Sequence, residues 1–111
     1  MSDKLFVYGT LGPGQPNEHW LTKIGGDFEK ASVRGRLFPE GWGATLGYPA
    51  LVIDPEGEEV HGHVFTSPHL PDHWSELDDF EGEGYLRIRA QVSLESGDTT
   101  DAYVYTLSPA P

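Results

Sequence analysis

Cysteine is absent from the 111 residues of the sequence. Disulfides, thiolate metal ligands and cysteine nucleophiles are therefore excluded, and the composition agrees with a cytoplasmic protein. Basic residues are scarce: 7 lysines and arginines stand against 18 acidic residues, which gives a formal net charge of −11. A surface of that sign repels nucleic acids and anionic membranes, so we expect neither as a partner.

Long apolar runs are also missing. No stretch approaches the roughly 18 apolar residues of a membrane-spanning helix, and the segment after Met1 lacks the apolar core of a signal peptide. With 37% hydrophobic residues, 14 glycines and 9 prolines, the composition favours short strands joined by turns over a helical bundle. The length predicts a single domain over residues 1–111 with one modest core.

A glycine-rich segment follows the first predicted strand. Residues 5–8 are apolar or aromatic, as in a buried strand, and glycines follow at positions 9, 12 and 14. Because glycine adopts positive φ without steric cost, such a loop can direct successive N–H groups towards a bound carboxylate or phosphate. A tight strand-to-helix turn without any ligand is the alternative interpretation.

The glycine-rich segment does not fit the usual nucleotide-binding motifs. A Walker loop ends in Gly-Lys followed by Ser or Thr, whereas Gly14 is followed by Gln15 and Pro16. The dinucleotide-binding pattern requires a third glycine at the position of Asn17. We therefore expect a small carboxylate as the ligand of this loop.

Hydrophobic patterns along the chain predict six strands and two helices. The strands are predicted at 5–8, 27–38, 48–53, 58–65, 85–94 and 101–107. Asn17 is the predicted N-cap of a short helix, and a longer helix with prolines near its start is predicted over residues 67–80. Gly35 within the second strand predicts a bulge or a close backbone approach. The predicted fold class is α+β, a small mixed β-barrel or strongly bent sheet with flanking helices.

A group of acidic residues surrounds the predicted end of the longer helix: Glu76, Asp78, Asp79, Glu81 and Glu83. Glu81 follows Phe80 at the helix C-terminus, where the helix dipole and the neighbouring carboxylates oppose ionisation. Both effects raise its pKa towards neutrality, which suits a general acid/base. We interpret Glu76, Asp78 and Glu83 as solvated residues. A calcium site is a competing interpretation, but the spacing lacks the Asp-x-Asp-x-Asp-Gly loop.

Two histidines, His61 and His63, share one face of the fourth predicted strand with Glu59. They could bind a metal together with His69 or His73, but the spacing places no third ligand. The preferred interpretation is that His61 and His63 line a pocket or the surface, and neither a metal nor another cofactor is predicted. No Gly-x-Ser-x-Gly elbow occurs, so a hydroxyl nucleophile is poorly supported.

Several short motifs follow one another along the chain: Val7-Tyr-Gly-Thr-Leu11, Tyr48-Pro49, Val60-x-Gly62-x-Val64-Phe65, Leu77-Asp-Asp-Phe-Glu81, Tyr85-x-Arg87 and Ala102-Tyr-Val-Tyr105. Together they cover essentially the whole sequence, and their order resembles that of the gamma-glutamylcyclotransferase-like family. The similarity is strongest to the small gamma-glutamylamine cyclotransferase branch. The resemblance implies a small mixed barrel with the first loop at the mouth of a central cavity.

The resemblance also implies a site and a reaction. The substrate's α-carboxylate would be bound by the loop residues Tyr8, Gly9, Thr10 and Leu11. Glu81 would be the catalytic general acid/base, with Tyr85 and Arg87 beside it. In such a reaction the α-amine of a gamma-glutamyl amine attacks the γ-carbonyl, and 5-oxoproline and an amine are released.

A second interpretation belongs to a different functional class. The same cavity could serve a non-catalytic module that binds a small amino-acid-like carboxylate. Release of 5-oxoproline from a gamma-glutamyl amine distinguishes the enzyme from the binding module. The sequence does not specify the amine half of the substrate or the oligomeric state.

Overall fold

A computed structural model describes residues 3–9, 12–15, 18–38, 50–81 and 84–107. Strands β1 to β6 span Lys4–Val7, Asp27–Phe38, Ala50–Ile53, Glu58–Thr66, Tyr85–Leu94 and Thr99–Leu107. Helix α1 spans His19–Thr22, a 3-10 turn spans Leu70–Asp72, and helix α2 spans Trp74–Glu81. No helix in these ranges has the length and apolar character needed to cross a membrane.

The six strands form one mixed sheet in the order β3-β2-β4-β1-β6-β5. Strand β1 is antiparallel to β4 and parallel to β6. Strand β2 also pairs with β5, through Ala31 opposite Leu94 and Ser32 opposite Ser93. This additional pairing closes β2, β4, β1, β6 and β5 into a five-stranded barrel. The predicted α+β class and small mixed barrel are confirmed.

Alternation along the strands separates two apolar clusters. Phe6 of β1 belongs to a cluster built only from strand residues, which fills the barrel interior. Its neighbours Leu5 and Val7 point to the opposite face and pack with Leu21 of α1 and Leu77 of α2. The second cluster therefore lies between the sheet and the helices, and it fixes the helices to the outside of the barrel.

The ends of several strands meet at one mouth of the barrel. Because β1 and β6 are parallel, their C-terminal ends lie side by side, next to Tyr8 and Leu107. Strand β5 is antiparallel to β6, so its first residue, Tyr85, pairs with Leu107 at the same mouth. Helix α2 immediately precedes this end of β5, which brings its last residue, Glu81, towards the mouth.

The predicted helix over residues 67–80 is too long. The structure instead contains the 3-10 turn and an α2 of 8 residues that begins at Trp74. Two prolines explain the difference, since Pro68 and Pro71 lack the N–H groups that a continuous helix would use. The predicted bounds of β2 and β5 are confirmed. The predicted N-cap Asn17 and residues 48–49 of the third predicted strand lie outside the described residues.

Two strand glycines lie where the backbones approach closely. A Cβ added to Gly35 would be 2.5 Å from the carbonyl oxygen of Val52, so the predicted close approach at this position is confirmed. A Cβ on Gly62 would be 2.2 Å from the carbonyl oxygen of Val7 and 2.8 Å from the Phe6 ring. Gly62 therefore leaves the space that the Val7 carbonyl and the Phe6 ring of the paired strand β1 occupy.

Gly62→Ala should destabilise the fold by about 2–3 kcal/mol, because the backbone of Val7 must move to admit the methyl group. Gly12→Ala is the matched control, since its Cβ would make an ordinary contact at 3.4 Å with the carbonyl oxygen of Gly9. It should change the free energy of unfolding by less than about 1 kcal/mol. Urea unfolding measures both, and equal effects would contradict the close approach at Gly62.

Candidate active site

Glu81 is half-buried at the C-terminal end of α2, and its carboxyl group is largely removed from water. Burial raises the pKa of this carboxyl from its ordinary value of 4.5 to about 7. The predicted upward shift of its pKa is confirmed, but its cause is burial rather than the helix dipole and neighbouring carboxylates. Glu81 can therefore carry a proton near neutral pH.

Three tyrosines lie near Glu81: Tyr8 just after β1, Tyr85 at the start of β5 and Tyr105 in β6. Burial raises the pKa of the Tyr8 phenol, and negative charge on Tyr85 and Glu81 raises it further. Burial and a hydrogen bond to Asp78 raise the pKa of Tyr105, and the charge of Glu81 contributes as well. The charge of Glu81 thus acts on Tyr8 and Tyr105, which together with the strand ends at this mouth indicates that Tyr8, Tyr85 and Glu81 lie near one another.

The hydroxyl group of Tyr8 joins two strands at the mouth. It accepts a hydrogen bond from the backbone N–H of Leu51 at 3.2 Å and donates one to the carbonyl oxygen of Tyr105 at 2.5 Å. Tyr8 therefore connects β3 to β6 just beyond the end of β1. Sequence reasoning singled out Tyr8 as a substrate contact and missed this link, because neither Leu51 nor the Tyr105 carbonyl is near it in the chain.

The glycine-rich loop folds back on itself. The N–H of Gly12 donates to the carbonyl oxygen of Gly9 at 3.1 Å, and the N–H of Gln15 donates to that of Gly12 at 3.1 Å. Gly14 has the positive φ that glycine permits, at 76°. Thr10 and Leu11 lie outside the described residues, and the carboxylate nest over residues 8–11 stays a prediction.

Asp78 and Arg87 form a two-pronged ion pair. Arg87 Nε donates to Asp78 Oδ1 at 2.8 Å, and Arg87 Nη2 donates to Asp78 Oδ2 at 3.2 Å. The hydroxyl of Tyr105 donates to Asp78 Oδ1 at 2.7 Å. The interpretation of Asp78 as a solvated residue is therefore wrong, because this carboxylate has three donors. A direct contact between Arg87 and substrate stays a prediction.

His61 and His63 lie on the outer face of the barrel. They contribute to a groove of about 480 Å³ whose lining also includes Lys30, Ser32 and Ser93. The interpretation that they line a pocket or the surface is confirmed. The groove includes none of the predicted substrate-site residues, and within the described ranges no three histidines or carboxylates could hold a metal ion.

Glu81→Gln should stabilise the fold at neutral pH and not at acidic pH. The folded-state pKa of about 7 lies above the ordinary value of 4.5. Wild type therefore has the full stabilising contribution of Glu81 below its ordinary pKa of 4.5 and loses it as the pH rises through the folded-state pKa of about 7. Relative to wild type, the variant should gain about 1–3 kcal/mol between about pH 4.5 and about pH 8 in urea unfolding.

Glu76→Gln provides a control on the exposed face of the same helix. The hydrogen bond with His73 lowers the pKa of Glu76, so its stabilising contribution is present at neutral pH and is lost as the pH falls. Relative to wild type, Glu76→Gln should therefore be less stable at neutral pH and similar at acidic pH, which is the opposite of Glu81→Gln. A Glu81→Gln difference that does not depend on pH would show that the Glu81 carboxyl is solvated.

Curated proteins and solved structures are similar to this chain, among them the following three. A Bos taurus protein named gamma-glutamylaminecyclotransferase is 33% identical over 116 residues, which cover 96% of this chain and 67% of the relative. A Niallia circulans protein named gamma-L-glutamyl-butirosin B gamma-glutamyl cyclotransferase is 34% identical, over 91% of this chain and 64% of the relative. The crystal structure of an AIG2-like protein from Mus musculus superposes with a TM-score of 0.71 at 29% identity, over 98% of this chain and 80% of that chain.

A protein-family match extends over residues 5–111, and it is to the family described as gamma-glutamyl cyclotransferase, AIG2-like. This chain spans only 64% and 67% of the lengths of the two curated relatives. The family match nevertheless covers all six strands and both helices, and the barrel agrees with the mouse structure. The chain belongs to the gamma-glutamyl cyclotransferase, AIG2-like family.

Proposed function

We propose that this chain is a gamma-glutamyl cyclotransferase that releases 5-oxoproline and an amine from a gamma-glutamyl amine or a related compound. The supporting observation is the buried carboxyl of Glu81, whose pKa of about 7 allows it to accept and return a proton at neutral pH. Glu81 is the proposed general acid/base. Its position beside Tyr8 and Tyr85 supports a small substrate held at the barrel mouth.

The proposed reaction is an intramolecular aminolysis. The substrate's neutral α-amine attacks the γ-carbonyl carbon while Glu81 takes a proton from the attacking nitrogen. The bond between that carbon and the leaving nitrogen then breaks, and Glu81 returns the proton to the departing amine. Because the nucleophile is tethered to its target, the main task of the protein is to hold the substrate folded, an orientation effect of several kcal/mol.

The proposed substrate contacts lie at the end of β1 and the start of β5. The loop residues Tyr8, Gly9, Thr10 and Leu11 bind the α-carboxylate, and Tyr85 contacts the gamma-glutamyl group. The names of the bovine and Niallia circulans relatives both specify a gamma-glutamyl compound, and they differ in the part that leaves. The gamma-glutamyl half is therefore the better-supported part of the proposed substrate.

Glu81→Gln should lower the turnover number by about 10²–10⁴, because glutamine keeps the size of glutamate but cannot carry the proton. The assay is release of 5-oxoproline from a panel of gamma-glutamyl amines and gamma-glutamyl amino acids, with thermal melts of each protein. Glu76→Gln is the control, since Glu76 is exposed and bonded to His73 on the other side of α2. It should leave turnover within about twofold of wild type.

Equal turnover by wild type and Glu81→Gln would contradict the role of Glu81. A wild type that binds 5-oxoproline but converts no compound in a broad panel would instead support the binding module. That second function uses the same mouth, so ligand binding alone does not separate the two.

Gly9→Val should weaken binding of 5-oxoproline by about tenfold or more, since a branched side chain blocks approach to the loop backbone. Isothermal titration calorimetry measures the dissociation constant directly. Ser96→Val, in the turn between β5 and β6 at the opposite end of the barrel, is the control and should bind like wild type. Unchanged binding by Gly9→Val would place the carboxylate elsewhere.

A further inference from the structure

Helix α2 has few attachments of its own to fix the end that carries Glu81. It has 8 residues, and Leu77 is its fully buried apolar side chain. Phe80 packs against the Trp20 ring at 4.8 Å between centroids. None of these contacts restrains the Glu81 carboxylate directly, because an apolar contact does not set the direction of a neighbouring polar group.

Asp78 supplies a directional attachment at the right place. It precedes Glu81 by three residues, so the two side chains are neighbours on one side of the helix. Burial raises the pKa of Asp78, but the hydrogen bonds from Arg87 and Tyr105 outweigh burial and hold the pKa below its ordinary value. The ionised carboxylate therefore keeps charge-assisted bonds to β5 and β6 across the pH range in which Glu81 titrates.

Arg87 is itself held in one orientation. Its guanidinium group lies 4.5 Å from the centroid of the Trp74 ring and 4.6 Å from that of the Tyr103 ring. Trp74 is the first residue of α2, and Asp78 lies one turn later. Arg87 thus contacts two successive turns of the helix. Its planar guanidinium group restrains both the position of α2 along its axis and its rotation about that axis.

Tyr105 connects this attachment to the other side of the mouth. Its side-chain hydroxyl donates to Asp78, whereas its backbone carbonyl accepts the hydrogen bond of Tyr8. A hydrogen-bonded path therefore runs from Leu51 through Tyr8 and Tyr105 to Asp78. Tyr105 of β6 therefore links the two sides of the candidate site.

We propose that Asp78, Arg87 and Tyr105 are positioning residues that hold the Glu81 carboxylate against Tyr8 by fixing the end of α2. In this proposal Arg87 acts on the helix, in place of the predicted contact with substrate. The kinetic part of the inference rests on the proposed cyclotransferase function. The structural part, that this ion pair keeps Glu81 buried, stands without it.

Arg87→Gln separates positioning from a direct charge effect. The groups that face Glu81 or its helix turn from the described elements are Tyr8, Asp78, Tyr85, Arg87 and Tyr105. Removing the positive charge of Arg87 would by itself raise the pKa of Glu81. Release of the helix end would expose Glu81 and lower its pKa from about 7 towards 4.5. We expect the second result, a fall of at least about one pKa unit.

The pKa is measured by carbon-13 NMR titration of the Glu81 carboxyl, with Glu81→Gln used for assignment. Arg36→Gln is the matched control, because Arg36 forms an ion pair with Asp54 at 3.1 Å outside the site. It should leave the Glu81 titration unchanged. Arg87→Lys keeps the charge but not the fork, so it should shift the pKa in the same direction as Arg87→Gln, by a smaller amount.

Steady-state kinetics give the second readout. A displaced proton carrier lowers kcat, and we expect a loss of about 10–100-fold for Arg87→Gln with KM changed by less than about threefold. A raised KM with unchanged kcat would instead show that Arg87 binds substrate and would overturn the positioning role. An unchanged or raised pKa of Glu81 in Arg87→Gln would overturn it as well.

Two further measurements apply if wild type is inactive or if Arg87→Gln does not fold. If wild type converts no substrate, the proposed function fails, and the NMR titration still decides whether the ion pair holds Glu81. If Arg87→Gln does not fold, Tyr105→Phe removes a single hydroxyl donor and retains the ring. Tyr105→Phe should then lower the pKa of Glu81 in the same direction, and an unchanged value would count against the proposal.

Discussion

Closure of the sheet depends on a short pairing between β2 and β5, in which Ala31 and Ser32 face Leu94 and Ser93. Without this pairing the strands would form an open sheet, and the interior cluster around Phe6 and Val104 would lose its cover. In the closed barrel, the ends of β1 and β6 and the start of β5 lie at one mouth, which is where the candidate site lies.

The chemistry of that site follows from burial rather than from a special sequence of charges. A carboxyl group removed from water favours its neutral form, and Glu81 accordingly titrates near neutral pH. Asp78 lies on the same helix and has the opposite behaviour, because three donors stabilise its charge. Two carboxylates one turn apart are thereby assigned different tasks, one holding the helix and one able to exchange protons.

The sequence predicted the fold more completely than the site. Alternation over Asp27–Phe38 and Tyr85–Leu94 gave the bounds of both strands, since each alternates between the barrel interior and its outside. The role of Asp78 was not predictable, because its partners Arg87 and Tyr105 lie on the paired strands β5 and β6, and the sequence does not show which side of α2 faces those strands. An acidic residue in a charged stretch resembles a solvated one until its long-range partners are known. The break between the 3-10 turn and α2 could have been predicted from Pro68 and Pro71.

The hydrogen bond between Tyr8 and Tyr105 requires the side chain of Tyr8 but only the backbone of Tyr105. Tyr8 supplies a side-chain hydroxyl, whereas Tyr105 supplies a backbone carbonyl that every amino acid possesses. Substitution at position 105 can therefore preserve this link between the strands while removing the hydroxyl that reaches Asp78. At position 8, a side chain without this hydroxyl loses the hydrogen bond. In mutational scans of this fold, tolerance at the two positions should differ even though the residues share a single hydrogen bond. The attachment of the helix can then vary while the link between β3 and β6 is kept.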